Sequence, residues 1–240
     1  MSMVQTKKEI KKYWEERFNT SRRTGKYGLE TFSQKISIKN TYNIFRTNIL
    51  NNVKGGMSVL ELGCGLGTIS DFLIKEKKVK KLICTDISKE AIENCNKKGL
   101  NAFIADAENL KFNDNSFDIV CGFALLHHLN NPKRAIEEAC RVSKKFVFFH
   151  EPNKWNPIRF LTERFLYPDY AHETSYSILQ YYNWFKNTDF KIKIVPNDFL
   201  IPYISNRRLT EANVFVDNVL KRTPLKFIAA SLNIIGKRCI

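Results

Sequence analysis

Long apolar runs are missing from this chain. Nowhere in its 240 residues does a stretch approach the roughly 20 apolar residues needed to cross a bilayer. The opening segment, Met1 to Lys12, is polar and lysine-bearing with no apolar segment behind it, so no secretory signal is expected. The six cysteines, at 64, 84, 95, 121, 140 and 239, include no C-x-x-C pair. That argues against a zinc site and a disulfide framework, and no metal is expected. Most of them sit within apolar stretches, which suits buried thiols in a reducing compartment and points to the cytoplasm. Internal repeats and low-complexity linkers are also missing. Acidic residues are few: 24 Asp and Glu face 39 Lys and Arg, for a formal charge of +15. Such a balance concentrates anionic partners, which include nucleic acid, membrane surfaces and acidic metabolites. The basic residues are spread, however, over the first 26 positions and around Lys75–Lys81, and a solvated basic surface is the simpler reading.

What remains is ordinary for a globular protein: 43% hydrophobic and 26% charged residues, enough for one large domain with a sizeable core. From about residue 57, short apolar runs alternate with amphipathic ones. Strands are predicted at Met57–Leu62, Lys81–Thr85, Ala102–Ala105, Phe117–Gly122 and Phe146–His150, with helices near Thr68–Lys78, Lys89–Lys98 and Pro132–Ser143. Strands rich in Val, Ile, Leu and Phe between helices imply a sheet covered on both faces. Two further strands, Phe190–Val195 and Ser231–Gly236, complete a seven-stranded, mostly parallel, doubly wound Rossmann-like α/β sheet. A helix opening at Asn156-Pro157, where Asn suits the N-cap and Pro the first turn, carries Ile158, Leu161, Phe165 and Leu166 on one apolar face. Further helices are predicted at Ser175–Lys186 and Thr210–Lys221. Residues 1–54 read as a helical arm or lid. The domain then runs over 55–240.

The first strand runs into Glu61-Leu62-Gly63-Cys64-Gly65-Leu66-Gly67 and then a helix. Glycine lets a ligand approach the backbone and makes positive φ cheap, and this turn falls at the carboxyl end of a strand, where open α/β sheets bind ligands. A dinucleotide loop would read G-x-G-x-x-G/A. Here the third glycine comes one place early, and a carboxylate, Glu61, precedes the first. A negative side chain there suits a cationic or amine-bearing ligand better than a pyrophosphate. The second strand ends at Asp86, placed to accept ribose hydroxyls; on its own, Asp86 could equally start a turn beside Ser88. The third ends at Asp106, another acidic strand end at the same edge.

Residues 57–152 resemble the core of class I S-adenosylmethionine-dependent methyltransferases, in the broad group that includes ubiquinone- and menaquinone-biosynthesis enzymes. The pieces that carry the resemblance are Val59–Gly67, Thr85-Asp86-Ile87-Ser88, Asp106-Ala107-Glu108, Phe117-Asp118-Ile119-Val120, Leu126-His127-His128-Leu129 and Glu151-Pro152-Asn153. The resemblance implies S-adenosyl-L-methionine as cofactor. Glu61, Gly63, Cys64, Gly65 and Gly67 would hold its methionine part, Asp86 would bind the ribose and Asp106 the adenine amino group, Ile87 and Ala107 would be cofactor-binding beside them, and Gly122 and Phe123 would line the pocket near the sulfonium. Two local departures stand out. The turn before the fifth strand reads Arg141-Val142-Ser143-Lys144-Lys145 in place of Pro-Gly-Gly, and Thr188-Asp189-Phe190 replaces an expected Gly-Phe.

Methyl transfer from a sulfonium is an in-line displacement that mainly needs positioning and desolvation, with a general base where the acceptor is a hydroxyl or ammonium. His128 and His150 are the candidates for that base. The Asn/Asp-Pro-Pro-aromatic motif of nucleic-acid amino methylation is absent, since Phe123-Ala124-Leu125-Leu126 stands in its place. The Pro-Cys nucleophile of base C5 methylation is absent too. The resemblance implies that specificity is set by the arm and by substrate-side insertions near 153–175 and 197–225, and aromatic residues concentrate in the arm (Tyr13, Trp14, Phe18) and in those insertions. The expected acceptor is therefore a small molecule, lipophilic ones included, with peripheral membrane contact through the Pro157–Leu166 helix as a further option. Two alternatives stay open. One is an RNA- or protein-modifying methyltransferase guided by the basic surface; the other is a cofactor-binding protein without turnover.

Overall fold

A computed structural model describes residues 6–24, 32–161, 174–198 and 206–239. Its centre is a seven-stranded sheet in the order β3-β2-β1-β4-β5-β7-β6. The strands are β1 (Met57–Leu62), β2 (Val79–Asp86), β3 (Ala102–Ile104), β4 (Phe117–Phe123), β5 (Ser143–Pro152), β6 (Phe190–Asn197) and β7 (Ser231–Arg238). β1 to β5 pair in parallel and β7 runs antiparallel between β5 and β6. The doubly wound, mostly parallel sheet expected from the sequence is present, and the strand order reverses direction between β1 and β4, where such sheets open a crevice.

The apolar runs read as strands because both faces are covered. Alternate residues of one strand enter different cores: Leu60, Leu62, Val120, Val147 and Phe149 join α5 (Pro132–Val142) and α7 (Ile178–Phe185) on one face. Met57, Val59, Ile119, Cys121 and Phe148 meet α2 (Phe32–Asn48) and α3 (Ser70–Leu73) on the other. Phe45 of α2 is fully buried and packs edge-on against Phe148. α4 (Lys89–Lys97) closes a smaller core through Ile92 and Cys95. α1 is Lys7–Thr24, α6 is Pro157–Leu161 and α8 is Arg207–Leu220.

Caps fix where these helices begin. The Ser88 hydroxyl accepts from the Ala91 amide at 3.4 Å, Asn131 accepts from the Arg134 amide ahead of Pro132 at N1, and Ser177 with Gln180 forms a capping box. The helix expected over Thr68–Lys78 is shorter, spanning only Ser70–Leu73. Tertiary partners take the groups that would have extended it: Glu76 turns to Tyr42 and Arg46, and the Lys78 ammonium caps the carbonyls of Leu50 and Val53 at 2.8 and 3.1 Å. The glycine-free turn before β5 works because Arg238 donates to the carbonyls of Cys140 and Ser143 at 2.7 and 2.8 Å. α6 begins where Asn156 accepts from the Arg159 amide. Phe165 and Leu166 of its expected apolar face lie outside the described residues.

Candidate functional site

A cavity of about 460 Å³ opens at the carboxyl ends of β1, β2 and β4. Its floor is the glycine turn. Gly63, Gly65 and Gly67 take φ of +64°, +51° and +76°, which side-chain-bearing residues rarely adopt. A Cβ on Gly63 would also lie 2.7 Å from Leu125 Cδ1. Glu61, Gly63, Cys64 and Gly65 line the cavity from β1 and its turn; Asp86 and Ile87 line it after β2; Asp106 and Ala107 after β3. Phe123, His128 and His150 complete the set of expected residues found there. Gly67 and Gly122 are not on the wall. A Cβ on Gly67 would approach Leu100 to 2.8 Å, and one on Gly122 would approach the Phe149 ring to 3.0 Å, so these two glycines admit packing neighbours.

The carboxylates differ in surroundings. Asp86 is nearly buried, and its oxygens accept the amides of Gly65 and Ser88, each at 2.9 Å. Burial pushes its pKa above the ordinary value, against those backbone donors. The Ile87 amide also bonds to the carboxylate, and the lone-pair capacity that remains is suited to a hydroxyl donor. Glu61 is buried at the inner end, and burial raises its carboxyl well above the usual range although Ser70 donates to it. A buried carboxyl so desolvated favours an incoming positive charge. Asp106 is more open. It accepts from the Glu108 amide at 2.9 Å and pairs with the Lys7 ammonium at 2.6 Å.

Lys7 was not legible as a site residue. From α1 it bridges Asp106 and Glu108, at 2.6 and 2.9 Å, while Ile10, Trp14 and Phe18 of the same helix face the cavity and Ile38 and Thr41 of α2 close it. The Trp14 ring meets the His128 ring edge-on, 4.7 Å between centroids. Three free cysteines crowd the turn: Cys64 Sγ stands 3.8 Å from Cys95 Sγ, and Cys84 Sγ 3.4 Å from the Ser70 hydroxyl. Among the described residues no group of His, Cys, Asp and Glu could hold a metal ion.

The histidines are oriented by partners on β5 and β7. His150 lies opposite Phe123 in the β4–β5 register and its Nδ1 is 3.0 Å from Asn233 Oδ1. An amide oxygen only accepts, so Nδ1 carries the proton and Nε2 keeps its lone pair. Burial lowers the His150 pKa, with the Asn233 bond pulling the other way. His127 Nδ1 meets Glu151 at 2.7 Å, and Glu151 also accepts the amides of Leu125, Leu126 and His127. Burial pushes the Glu151 carboxyl up to about 7. Glu151 thus ties the loop after β4 to the end of β5, a role hidden in the Glu151-Pro152-Asn153 run.

Comparison with known proteins bears on this site directly. The family described as Methyltransferase domain matches residues 60–149. The mouse protein Arginine-hydroxylase NDUFAF5, mitochondrial (Mus musculus), is 38% identical over 87 residues, 35% of this chain and 25% of that protein. The Arabidopsis thaliana tRNA (carboxymethyluridine(34)-5-O)-methyltransferase is 37% identical over 98 residues, 40% of this chain and 23% of that protein. The chain spans about a quarter of the length of these two relatives. Among solved structures, magnesium protoporphyrin IX methyltransferase from Synechocystis PCC 6803 with bound SAH superposes with a TM-score of 0.67 at 15% identity, over 98% of this chain and 100% of that one. The two sequence relatives match 35% and 40% of this chain, whereas the solved structure superposes over nearly all of it; their names describe an arginine hydroxylase, a tRNA methyltransferase and a porphyrin methyltransferase.

Proposed function

We propose that this chain, whose residues 60–149 match the methyltransferase-domain family, is a class I S-adenosylmethionine-dependent methyltransferase that uses S-adenosyl-L-methionine as cofactor and methylates a small, lipophilic acceptor. The observation that carries this reading is the pairing, in one cavity, of a carboxylate-rimmed glycine turn with an apolar wall built by Trp14, Phe18, Ile38 and Phe123. Bound there, S-adenosyl-L-methionine supplies an electrophilic methyl on a sulfonium. The residues present fit it. The bare backbone at Gly63 and Gly65 gives close approach, and Asp86 offers its carboxylate to the ribose hydroxyls. Asp106 and Ala107 suit the adenine edge, and Glu61 faces positive charge. Cys64 and Ile87 supply van der Waals walls. Gly67 and Gly122 act through packing, keeping the turn and the end of β4 in place.

The acceptor end is served by Phe123 and His150. Their neighbouring strand ends put an oriented imidazole beside the pocket, where Nε2 can take the proton that a hydroxyl or amine loses on methylation. His128 spends its ring on Trp14 and, in this reading, holds the arm. α1, within the 1–54 arm, acts as a lid latched by Lys7 on Asp106, excluding water from the displacement. Substrate choice then falls to the arm and to the segments near 153–175 and 197–225. A reducing compartment such as the cytoplasm agrees with the six free thiols. Among the described residues no helix is long and apolar enough to cross a membrane.

The test is incubation with methyl-labelled cofactor and a cell extract, followed by separation of small molecules, lipids, RNA and protein. Label in the lipophilic small-molecule fraction supports the reading. Label in RNA or protein gives the basic surface the leading role, and cofactor binding with no labelled product anywhere makes the chain a binding protein.

Glu61 gives a second test. Its raised pKa means that the free protein holds a proton there that a bound cation would expel, so the complex binds fewer protons. Cofactor affinity should therefore increase as pH rises above the ordinary carboxyl range. Glu61→Gln should lower affinity and flatten that dependence in calorimetric titrations. A wild-type slope retained in the variant would remove Glu61 from the charge site.

A further inference from the structure

α8 is amphipathic in the wrong sense for a helix that only packs on its own domain. Its inward side buries a charge: Asp217 is 2% exposed, pairs with Lys221 at 2.6 Å, and Lys221 reaches Asp198 at 3.2 Å. Its outward side carries the apolar residues. Leu209, Val216 and Val219 are 60%, 50% and 49% exposed, and Phe215 is 70% exposed. Positions 209, 212, 216 and 219, with 215 beside them, follow the three-and-four spacing that makes one stripe. Arg208 and Arg222, seven residues either side of Phe215, border it and are exposed.

The apolar surface continues past the helix. Leu225 and Phe227 on the following 3-10 turn (Pro224–Ile228) are about half exposed, with Lys226 between them. That turn is tied to the start of α6, where Asn156 donates to the Ile228 carbonyl at 2.8 Å, and α6 exposes Ile158 and Leu161 in turn. Over residues 207–228 there are five basic residues (Arg207, Arg208, Lys221, Arg222, Lys226) and two acidic (Glu211, Asp217), one of which is buried.

We propose that this face docks on an anionic lipid bilayer. An exposed apolar stripe with aromatic and aliphatic residues, flanked by Arg and Lys, matches the two attractions a charged membrane surface offers, insertion below the headgroups and neutralisation at them. A symmetric second copy would bring the same basic patch against itself. Nucleic acid would engage the arginines and leave the Leu and Val stripe in water. The face also lies behind the acceptor end of the cavity. Asp198, held by Lys221, accepts from Ser37 of α2 at 2.6 Å, and Ser37 lines the cavity wall. A lipophilic acceptor would then be met at the surface that stores it; that last step rests on the proposed function, whereas docking does not.

The experiment is co-sedimentation of the full chain with vesicles of phosphatidylcholine alone and of phosphatidylcholine containing phosphatidylglycerol. Binding to the anionic vesicles should exceed that to neutral ones by roughly tenfold and weaken with added salt. Phe215→Glu should cut anionic-vesicle binding by roughly tenfold or more, with melting temperature and cofactor affinity unchanged because the side chain is exposed and does not line the cavity. Absence of wild-type binding to the anionic vesicles overturns the proposal. So does equal binding by wild type and Phe215→Glu, which would leave only a diffuse basic surface. A solution dimer that Phe215→Glu dissolves would reassign the face to a copy of the chain. Since the assay uses neither cofactor nor turnover, its failure leaves methyl transfer standing, and failure of methyl transfer leaves docking standing.

Discussion

Asp86→Ala should weaken S-adenosyl-L-methionine binding by about 100- to 1,000-fold, the largest affinity loss expected from a single cavity residue. Two hydrogen bonds from ribose hydroxyls to one carboxylate are charge-assisted, each worth about 1.5–3 kcal/mol, and a loss near 3–4 kcal/mol is two to three decades in Kd. The substitution also strips the acceptor from the Gly65 and Ser88 amides, so the turn loosens and stability should fall by about 1–3 kcal/mol. A companion variant separates the two effects. At Gly65 an added Cβ would meet only the Phe18 ring, at ordinary contact distances of 3.6 and 3.8 Å. Gly65→Arg therefore fills the cavity mainly with its side chain, though the positive φ costs about 1 kcal/mol. Calorimetric titration of both variants, each checked by thermal melting, reads the result. Near-wild-type affinity in either folded variant would remove the turn and Asp86 from the cofactor site.

The cavity at the carboxyl edge of the sheet was legible because its signals are local and covalently spaced. A strand, a glycine turn and a helix occupy consecutive residues, and Asp86 and Asp106 come at the ends of strands whose apolar runs are plain. Parallel pairing then brings those ends to one edge with no further information required. Helix extents were less legible where a tertiary partner decides them. Lys78 and Glu76 belong by propensity to a longer helix, and they leave it for carbonyls and side chains some thirty positions earlier in the chain. The least legible features pair residues far apart. Lys7 reaches Asp106 across 99 positions and His150 meets Asn233 across 83, and no periodicity or spacing connects such partners. The same holds for α8. Its sequence pattern announces an amphipathic helix and not which side faces inward, and that depends on Lys221 bridging Asp217 and the distant Asp198.

The His150–Asn233 pair leads to the second large effect. If the acceptor loses a proton on methylation, His150→Ala should lower kcat by about 10²- to 10⁴-fold, the range for a positioned general base. Cofactor affinity should stay within about twofold of wild type, because the imidazole sits at the proposed acceptor end. The pH dependence gives a second and independent readout. Burial lowers the His150 pKa from its ordinary 6.5, so the base is in its competent neutral form through the neutral range, and the rate should drop only as pH falls through a value below 6.5. Asn233 acts against that shift, since its carbonyl accepts from Nδ1–H and favours the protonated ring. Asn233→Leu should therefore move the acidic limb to still lower pH. It should also reduce kcat, because nothing then holds the proton on Nδ1 and the lone pair on Nε2. A merely structural asparagine would lower activity at every pH and leave the limb in place. If His150→Ala turns over at the wild-type rate with the same limb, the proton is taken elsewhere or the acceptor atom carries none to lose. The methylated atom would then be sought among nucleophiles that need no base.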